Sequence, residues 1–172
     1  MEKEDRQCGK CSECCKAPVV EFPNGEVKKS LERCKYLCAE ASEKGCMIFG
    51  QDMRPKMCAT FFCLWKRGYG GEEDRPDKNG IFIAVPEAFN GGKWIVVMDQ
   101  VKDAHRTTGK EIILDVADKI DLPVIVADHD NLKHGKGDYV IIKDSLQHRS
   151  SKIKGEFIGD FGHMKEYRLE IS

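Results

Sequence analysis

The stretch Cys8-Gly-Lys-Cys11-Ser-Glu-Cys14-Cys15 places four cysteines within eight residues. Spacers of two residues allow one turn of the chain to bring successive thiols to a common ion, so this pattern favours metal binding. Five further cysteines follow, at positions 34, 38, 46, 58 and 63, and no cysteine occurs beyond them. The sequence therefore predicts a cysteine-dense unit at the N-terminus, followed by an ordinary globular segment.

Two other uses of cysteine explain this stretch less well. Disulfide bonds need an oxidising compartment, and an odd total of nine cysteines would leave one thiol unpaired. The charged residues 1–7 have no apolar stretch behind them, so we expect no secretory signal and a cytoplasmic location. Buried inert thiols account for single cysteines, but not for the repeated spacing of two residues.

Both zinc sites and iron–sulfur clusters fit the number of thiols. A tetrahedral zinc site takes four thiolates, and a cubane iron–sulfur cluster also takes four. Eight of the nine cysteines would therefore fill two such sites. The adjacent Cys14 and Cys15 point in different directions, which suits two neighbouring sites or a cluster with bridging sulfurs. A bacterial ferredoxin run would have a cysteine where this chain has Pro18, so that pattern fails.

Three further elements follow the first stretch along the chain. They are Cys34-Lys-Tyr-Leu37, Gly45-Cys46-Met-Ile48-Phe49 and Arg54-Pro55-Lys-Met-Cys58-Ala-Thr-Phe61-Phe-Cys63-Leu-Trp65. Together with Cys8-x-x-Cys11-x-x-Cys14-Cys15 they resemble the CxxCxxCC (YkgJ-like) cysteine-cluster family, whose domain is described as zinc- or iron-chelating. The resemblance covers about residues 5–67.

The resemblance implies metal-ligand roles for eight cysteines. These are Cys8, Cys11, Cys14, Cys15, Cys34, Cys46, Cys58 and Cys63. Cys38 is not part of the family pattern, so we expect it to be the cysteine that binds no metal. The implied cofactor is zinc or, alternatively, an iron–sulfur cluster, since the pattern does not choose between them.

Some larger relatives in this family are linked to lysine N-methylation of flagellin. This chain is much shorter and shows no motif that we can assign to a methyl donor, so we do not transfer that activity. Two functions stay open: a metal-binding module with structural ions, and an iron–sulfur redox or protein-modifying (lysine methylase-like) enzyme. A catalytic zinc keeps an open coordination position, so complete thiolate coordination would favour the module.

Arg54 is a candidate for stabilising the charge of such a site. Four thiolates around a zinc ion carry a net negative charge, which nearby cations and main-chain N–H donors offset. Pairing of Arg54 with a surface carboxylate is an equally good interpretation, so the sequence leaves both roles open.

Composition divides the chain into three predicted parts. Residues 1–67 form a cysteine-cluster metal-binding module, residues 68–80 a glycine-rich linker or lid, and residues 81–172 an α+β segment of unknown role. In the first part, residues 19–26 predict a short strand and a turn around Pro23-Asn24-Gly25. A capping serine and an apolar face at helical spacing predict a helix over residues 30–44.

Residues 81–172 alternate between strand and helix patterns, which predicts a small mixed sheet with one main helix. The predicted strands are residues 81–85, 94–98, 123–127, 139–142 and an edge strand at 166–171, and the helical pattern covers residues 103–121. The first two strands flank Phe89-Asn90-Gly91-Gly92, a turn sequence typical of a hairpin. The predicted fold class is therefore α+β.

Charge and hydropathy exclude two large classes of partner. The net charge of −1 provides no basic field for nucleic acid. No apolar run approaches the roughly 20 residues that span a bilayer, and the mean hydropathy is −0.48. We therefore expect the chain to bind neither a nucleic acid nor a membrane. The expected partner is a protein, which the sequence does not identify. The oligomeric state stays open.

All five histidines lie in the second half of the chain and are candidates for catalysis. They are His105, His129, His134, His148 and His163. The Asp128-His129-Asp130 run has the residues of a metal ligand or a base, although a loop of mixed charge between two strands is the simpler interpretation. No Ser-His-Asp or paired-glutamate pattern stands out in the sequence.

Overall fold

The computed structural model of the chain has two sheets and few helices. It describes residues 6, 11–37, 45–60, 63–85, 94–120, 122–134, 139–143 and 155–169. Within these ranges, one mixed sheet has six strands and a second sheet has two. The prediction of a small α+β fold is therefore confirmed.

The strands follow the chain in an almost sequential order. β1 (Val20–Glu21) and β2 (Val27–Lys28) pair antiparallel in the small sheet. The main sheet contains β3 (Ile81–Ala84), β4 (Ile95–Asp99), β5 (Val124–Ala127), β6 (Tyr139–Lys143), β7 (Gly155–Phe161) and β8 (Met164–Leu169). Its strand order is β3-β4-β5-β6-β8-β7, and β4 and β5 are the one parallel pair among the strands that the structure describes.

The helices are short except for one. The described residues form α1 (Lys56–Thr60), α2 (Pro76–Asn79), α3 (Lys110–Ile120) and α4 (His129–His134). α3 lies in the connection between β4 and β5, since parallel neighbours need a long crossover. Among the described residues, no helix has the length and apolar character needed to cross a membrane.

The main core lies between α3 and one face of the sheet. The buried residues of α3 are Ile112, Ile113, Val116 and Ala117. They pack with the sheet residues Ile81, Ile83, Val97, Val124 and Val126. Because the four helix positions share one face at a spacing of three to four residues, α3 covers the sheet as an amphipathic helix.

α3 begins later than the predicted start at residue 103. Residues Ala104–Arg106 form a separate turn of 3-10 helix, which follows Asp103 at a φ of 58°. A Cβ atom at Gly109 would lie 2.4 Å from Cδ1 of Ile81, so the chain needs glycine to pass the sheet here. The prediction was wrong over residues 103–109, because apolar spacing does not report this close approach.

The opposite face of β3 contacts the cysteine segment, defined here as residues 11–65. Phe82 and Ala84 alternate with the core residues of β3, so their side chains point away from α3. They pack with Ala17, Cys63 and Trp65. The main-chain N–H of Leu64 also donates to the oxygen of Ile83 at 2.8 Å. This face of β3 therefore packs on the cysteine segment, while Leu64 of the same segment joins the core beneath α3.

The predicted helix over residues 30–44 is wrong for residues 30–37, which form turns and irregular chain. The buried ammonium group of Lys28 explains part of this difference. It binds the main-chain oxygen of Glu32, which a helix here would use for its own hydrogen-bond ladder. The rest of the predicted helix, residues 38–44, lies outside the described residues.

The strand predictions in the second half are largely confirmed. β3 and β4 pair antiparallel as expected of a hairpin, while its predicted turn at residues 89–92 lies outside the described residues. The last predicted strand was assigned to an edge, but β8 pairs with both β6 and β7. β7, which the sequence did not predict, takes the edge position, because its glycines and charges obscure the apolar alternation.

Candidate metal centre

The structure describes seven of the eight predicted metal ligands, all as free thiols. They are Cys11, Cys14, Cys15, Cys34, Cys46, Cys58 and Cys63. The eighth, Cys8, and the predicted bystander Cys38 lie outside the described residues.

Three of these cysteines pack against one small apolar cluster. They are Cys34, Cys46 and Cys58, and the cluster consists of Val20, Phe22 and Ile48. Cys34 lies in the turns after β2, and an isolated bridge from Leu37 holds Cys46 beside that segment. Cys58 comes from α1. Side chains that are far apart in sequence thus share one neighbourhood.

Cys15 joins this neighbourhood through its charge interactions. It ends the 3-10 helix Glu13–Cys15. Burial raises the pKa of Cys58, and negative charge on Cys15 and Cys34 raises it further. Burial also raises the pKa of Cys46, where Cys15 and Cys34 again act in the same direction. We call Cys15, Cys34, Cys46 and Cys58 the first thiol set.

The thiol of Cys15 is more acidic than an ordinary cysteine. A hydrogen bond from Cys14 lowers its pKa to about 7, burial opposes this change, and the charges of Lys28 and Arg54 support it. Cys15 is therefore substantially a thiolate near neutral pH, which is the form that binds metals.

Lys28 is a buried cation beside the first thiol set, with 6% of its surface exposed. Its Nζ donates to the main-chain oxygens of Lys16, Lys29 and Glu32 at 2.8, 2.7 and 3.0 Å. Burial lowers the pKa of this lysine, whereas negative charge on Cys34, Glu32 and Cys15 raises it. Since neutral carbonyls accept its three hydrogen bonds, thiolates are suitable counter-charges for this ammonium group.

Arg54 is a second cation at the same place. Its Nη2 donates to the main-chain oxygen of Cys58 at 2.6 Å, and its guanidinium carbon lies 4.4 Å from the ring centre of Phe49. Its Nε is buried and has no hydrogen-bond partner among the residues that the structure describes. A buried N–H without an acceptor costs about 1–3 kcal/mol. Sulfur ligands of a bound metal group are acceptors that suit this donor, so the residues fit such a group.

Cys11 and Cys63 have different surroundings. Cys63 is 8% exposed and belongs to the apolar cluster against β3. Burial raises the pKa of Cys11 to about 12, and the charges of Asp77 and Cys63 act in the same direction. Burial raises the pKa of Asp77, but Arg75 and, more weakly, the thiol of Cys11 outweigh burial and lower it. We call Cys11 and Cys63 the second thiol set.

The thiols are neighbours without forming a closed coordination shell. Within the ranges that the structure describes, no three His, Cys, Asp or Glu side chains are arranged to hold a metal ion. Binding would therefore have to draw the ligands together, as happens in small modules where metal binding is coupled to folding.

The Asp128-His129-Asp130 run has a structural role in this fold. Oδ1 of Asp128 accepts the main-chain N–H of Asn131 at 2.7 Å, which caps the start of α4. The predicted loop is therefore a short helix. Elsewhere, exposed His163 bonds Asp118 at 2.8 Å. His134 ends α4, and His148 lies outside the described residues.

His105 belongs to a buried charged network that sequence reasoning missed. Its Nδ1 lies 2.5 Å from Oδ2 of Asp99, and its Nε2 lies 3.8 Å from Oε1 of Glu166. Arg106 also binds Glu166, at 2.7 Å. The sequence did contain an indication of this network. Asp99 directly follows the apolar residues of β4, and a buried carboxylate needs a partner. The network joins β4, the 3-10 turn and β8.

Comparison with known protein-family models finds no match for this chain. Searches of curated proteins and of solved structures also find no match.

Proposed function

We propose that this chain is a metal-binding protein whose cysteine segment holds zinc ions or an iron–sulfur cluster through thiolates. The observation that supports this most is the first thiol set, in which Cys34, Cys46 and Cys58 pack on one apolar cluster. Four thiols from separate parts of the sequence share this place with two cations, Lys28 and Arg54.

Charge balance supports the same proposal. Four thiolates outweigh the charge of one divalent ion, and a cubane cluster with four thiolates is also anionic. Lys28 and Arg54 would offset this negative charge from outside the ligand shell. The unpartnered Nε of Arg54 would gain an acceptor, since outer-shell donors commonly hydrogen-bond ligand atoms.

The role that follows from this ligand set is structural. A catalytic zinc keeps an open coordination position, whereas four thiolates fill the tetrahedral shell. Bound metal would then contribute to folding of the cysteine segment, whose apolar clusters are small. The alternative, an iron–sulfur redox or protein-modifying (lysine methylase-like) enzyme, requires an additional reactive position.

The proposal places the protein in the cytoplasm. Thiolate ligands have to stay reduced to bind metal, and the cytoplasm keeps cysteines in that state. The free thiols of the cysteine segment are consistent with this location.

Anaerobic purification followed by elemental analysis and visible spectroscopy tests the proposal. Stoichiometric zinc in a colourless protein would support the zinc form and exclude the cluster. Brown protein with matching iron and acid-labile sulfide would support the cluster and exclude zinc. Freshly purified protein that contains neither metal, and takes up neither after anaerobic reconstitution, would contradict the proposed function.

A further inference from the structure

The chain makes a tight turn directly after its last cysteine. The main-chain N–H of Tyr69 donates to the oxygen of Leu64 at 3.1 Å, and that of Gly68 donates to the oxygen of Trp65 at 3.0 Å. Nested bonds of this kind, with a glycine at positive φ, end many α-helices. Here Gly68 has a φ of 96°, and Gly70 has a φ of 72°. Both glycines therefore hold a backbone conformation that other residues rarely adopt.

Four main-chain oxygens of this turn converge on one guanidinium group, that of Arg6. Its Nη1 donates to the oxygens of Trp65 and Tyr69 at 3.2 and 3.0 Å. Its Nη2 donates to the oxygens of Gly68 and Gly70 at 3.3 and 2.8 Å. Because these oxygens surround one cation, we call residues 64–71 the carbonyl turn.

Trp65 adds an aromatic wall to the carbonyl turn. The guanidinium carbon of Arg6 lies 5.3 Å from the centre of its ring, within the range of cation–π attraction. Trp65 is buried and packs in the same apolar cluster as Phe82 of β3, so its ring is held in place. A flat guanidinium group can use the ring and the four oxygens together, whereas a lysine ammonium group has only three donors and no plane.

Other contacts hold the carbonyl turn without Arg6. The main-chain N–H of Leu64 donates to the oxygen of Ile83 on β3 at 2.8 Å. The indole N–H of Trp65 donates to the oxygen of Gly71 at 2.9 Å, and the N–H of Gly71 donates to Oδ2 of Asp74 at 2.7 Å. The turn is therefore fixed at both ends, so a guanidinium group enters it with little rearrangement.

The main chain at Arg6 is held at the same place. Nζ of Lys66, within the carbonyl turn, donates to the main-chain oxygen of Arg6 at 3.0 Å. Arg6 lies five positions before Cys11. Its contacts therefore fasten the N-terminal part of the chain to the turn that follows the last cysteine.

We propose that the carbonyl turn is a binding site for a guanidinium group, which this chain fills with its own Arg6. The ligand class is an alkylguanidinium ion, and the site accepts a free one when the side chain of Arg6 is removed. In the intact chain the site works as a clasp that keeps the N-terminal part on the sheet. This inference goes beyond the proposed function, because the site uses no thiol and no metal.

Chemical rescue of Arg6→Ala in the full chain tests the site, because ethylguanidinium replaces the atoms that the substitution removes. We expect Arg6→Ala to lower the melting temperature by about 3–8 °C. Millimolar ethylguanidinium should restore part of this loss in a saturable way, whereas ethylammonium should not. Arg67→Ala, which removes an exposed arginine of the same turn, is the matched control and should show neither the loss nor the rescue.

The fluorescence of Trp65 measures binding independently of stability. The chain has two tryptophans, so Trp94→Phe leaves Trp65 as the single reporter. In the Arg6→Ala/Trp94→Phe protein, ethylguanidinium should cause a saturable change that ethylammonium does not cause. With Arg6 present, the change should be absent at the same concentrations, since the site is already filled.

The contrary outcomes are distinct. A melting temperature unchanged in Arg6→Ala would show that Arg6 is not held and would overturn the inference. A loss without rescue or fluorescence change would show that the turn binds no free guanidinium, and equal rescue by ethylammonium would remove the specificity. If Arg6→Ala does not fold, Arg6→Lys decides: it should melt below the wild type, and equal melting temperatures would contradict the need for a guanidinium group.

Discussion

Lys28 is the residue that distinguishes the first thiol set most clearly from an ordinary apolar cluster. A lysine with 6% exposure is expensive unless negative charge lies nearby. Its three hydrogen bonds go to neutral main-chain oxygens, so the groups that balance its charge through space are the carboxylate of Glu32 and the thiols of Cys34 and Cys15. The ammonium group therefore holds the local backbone through its hydrogen bonds and places a positive charge beside the thiols that we propose as metal ligands.

Replacing Lys28 with methionine tests whether its positive charge supports metal binding. The variant keeps most of the side-chain volume but removes the charge and leaves three main-chain oxygens without their donor. We expect lower metal content and a loss of about 1–3 kcal/mol in the free energy of unfolding. Elemental analysis and urea unfolding measure both effects, with exposed Lys29→Met as the matched control. Unchanged metal content in Lys28→Met would argue against its role.

His105 gives the fold a pH-dependent contribution to stability. Burial lowers its pKa, but the hydrogen bond with Asp99 and the nearby carboxylate of Glu166 outweigh burial and raise it to about 9. The folded value thus exceeds the value of about 6.5 expected for an unfolded chain. The stabilisation is fully present below pH 6.5 and is lost as the pH rises through about 9.

Urea unfolding of His105→Gln at several pH values measures this contribution. The stability difference between wild type and variant should shrink by about 2–3 kcal/mol between pH 6 and pH 9.5. His163→Gln is the control, since His163 is an exposed histidine paired with a carboxylate. The cysteines titrate in both wild type and variant, so their contribution cancels in the difference between the two free energies of unfolding. A difference that stays constant with pH would contradict the assignment.

At the level of elements, the sequence predicted the strands whose apolar residues form a regular pattern. Apolar runs located β3, β4, β5 and β6, because buried strands of a covered sheet consist of such runs. The helix over residues 30–44 was expected for the same kind of reason and is wrong for residues 30–37. In the structure, Cys34 and Tyr36 instead pack against the small apolar cluster of Val20, Phe22 and Ile48.

The site was predictable in composition but not in arrangement. The spacing of the first cysteine stretch, together with the family resemblance, suggested which cysteines bind metal. Neither indicated that Cys15 has Cys34 and Cys58 as neighbours, or that Cys11 has Cys63 and Asp77. Such groupings depend on how turns and apolar clusters place distant segments. Lys28 and Asp77 gave no sequence signal, since isolated charged residues in short elements are common on surfaces.

Gly109 is the position at which one side chain would disturb the packing between two elements. A Cβ atom there would lie 2.4 Å from Cδ1 of Ile81, whereas a Cβ atom at Gly159 in β7 would meet nothing within 4 Å. We expect Gly109→Ala to lower the free energy of unfolding by about 1–3 kcal/mol through overpacking. Gly159→Ala, the matched control, should lose much less. Thermal unfolding of both variants checks the order, and equal stability would contradict the contact.

For the whole molecule, α3 covers one face of the main sheet, and the opposite face of β3 packs on the cysteine segment, whose Leu64 also joins the core beneath α3. The core cluster beneath α3 is the larger one and contains no cysteine. We therefore expect metal binding to stabilise the cysteine segment more than the α3 side. Loss of metal should therefore destabilise the cysteine segment more than the α3 side, and cysteine variants can test this.

Single cysteine replacements should separate ligands from the bystander. Cys58→Ser and Cys11→Ser are expected to lower metal content and to destabilise the cysteine segment, because each removes a thiolate ligand. Cys38→Ser should keep the metal content of the wild type, since Cys38 lies outside the family pattern. Elemental analysis of the anaerobically purified variants makes the comparison. Equal metal loss in all three would refute this assignment of ligands.

X-ray absorption at the edge of the bound metal tests the central claim most directly, because it reports the ligand atoms themselves. For the first thiol set we expect a sulfur shell at about 2.3 Å, the distance of zinc–thiolate bonds and close to that of iron–sulfur clusters. That shell should lose sulfur in Cys34→Ser. A shell made only of nitrogen and oxygen ligands at about 2.0–2.2 Å, unchanged in Cys34→Ser, would contradict metal binding by these thiolates.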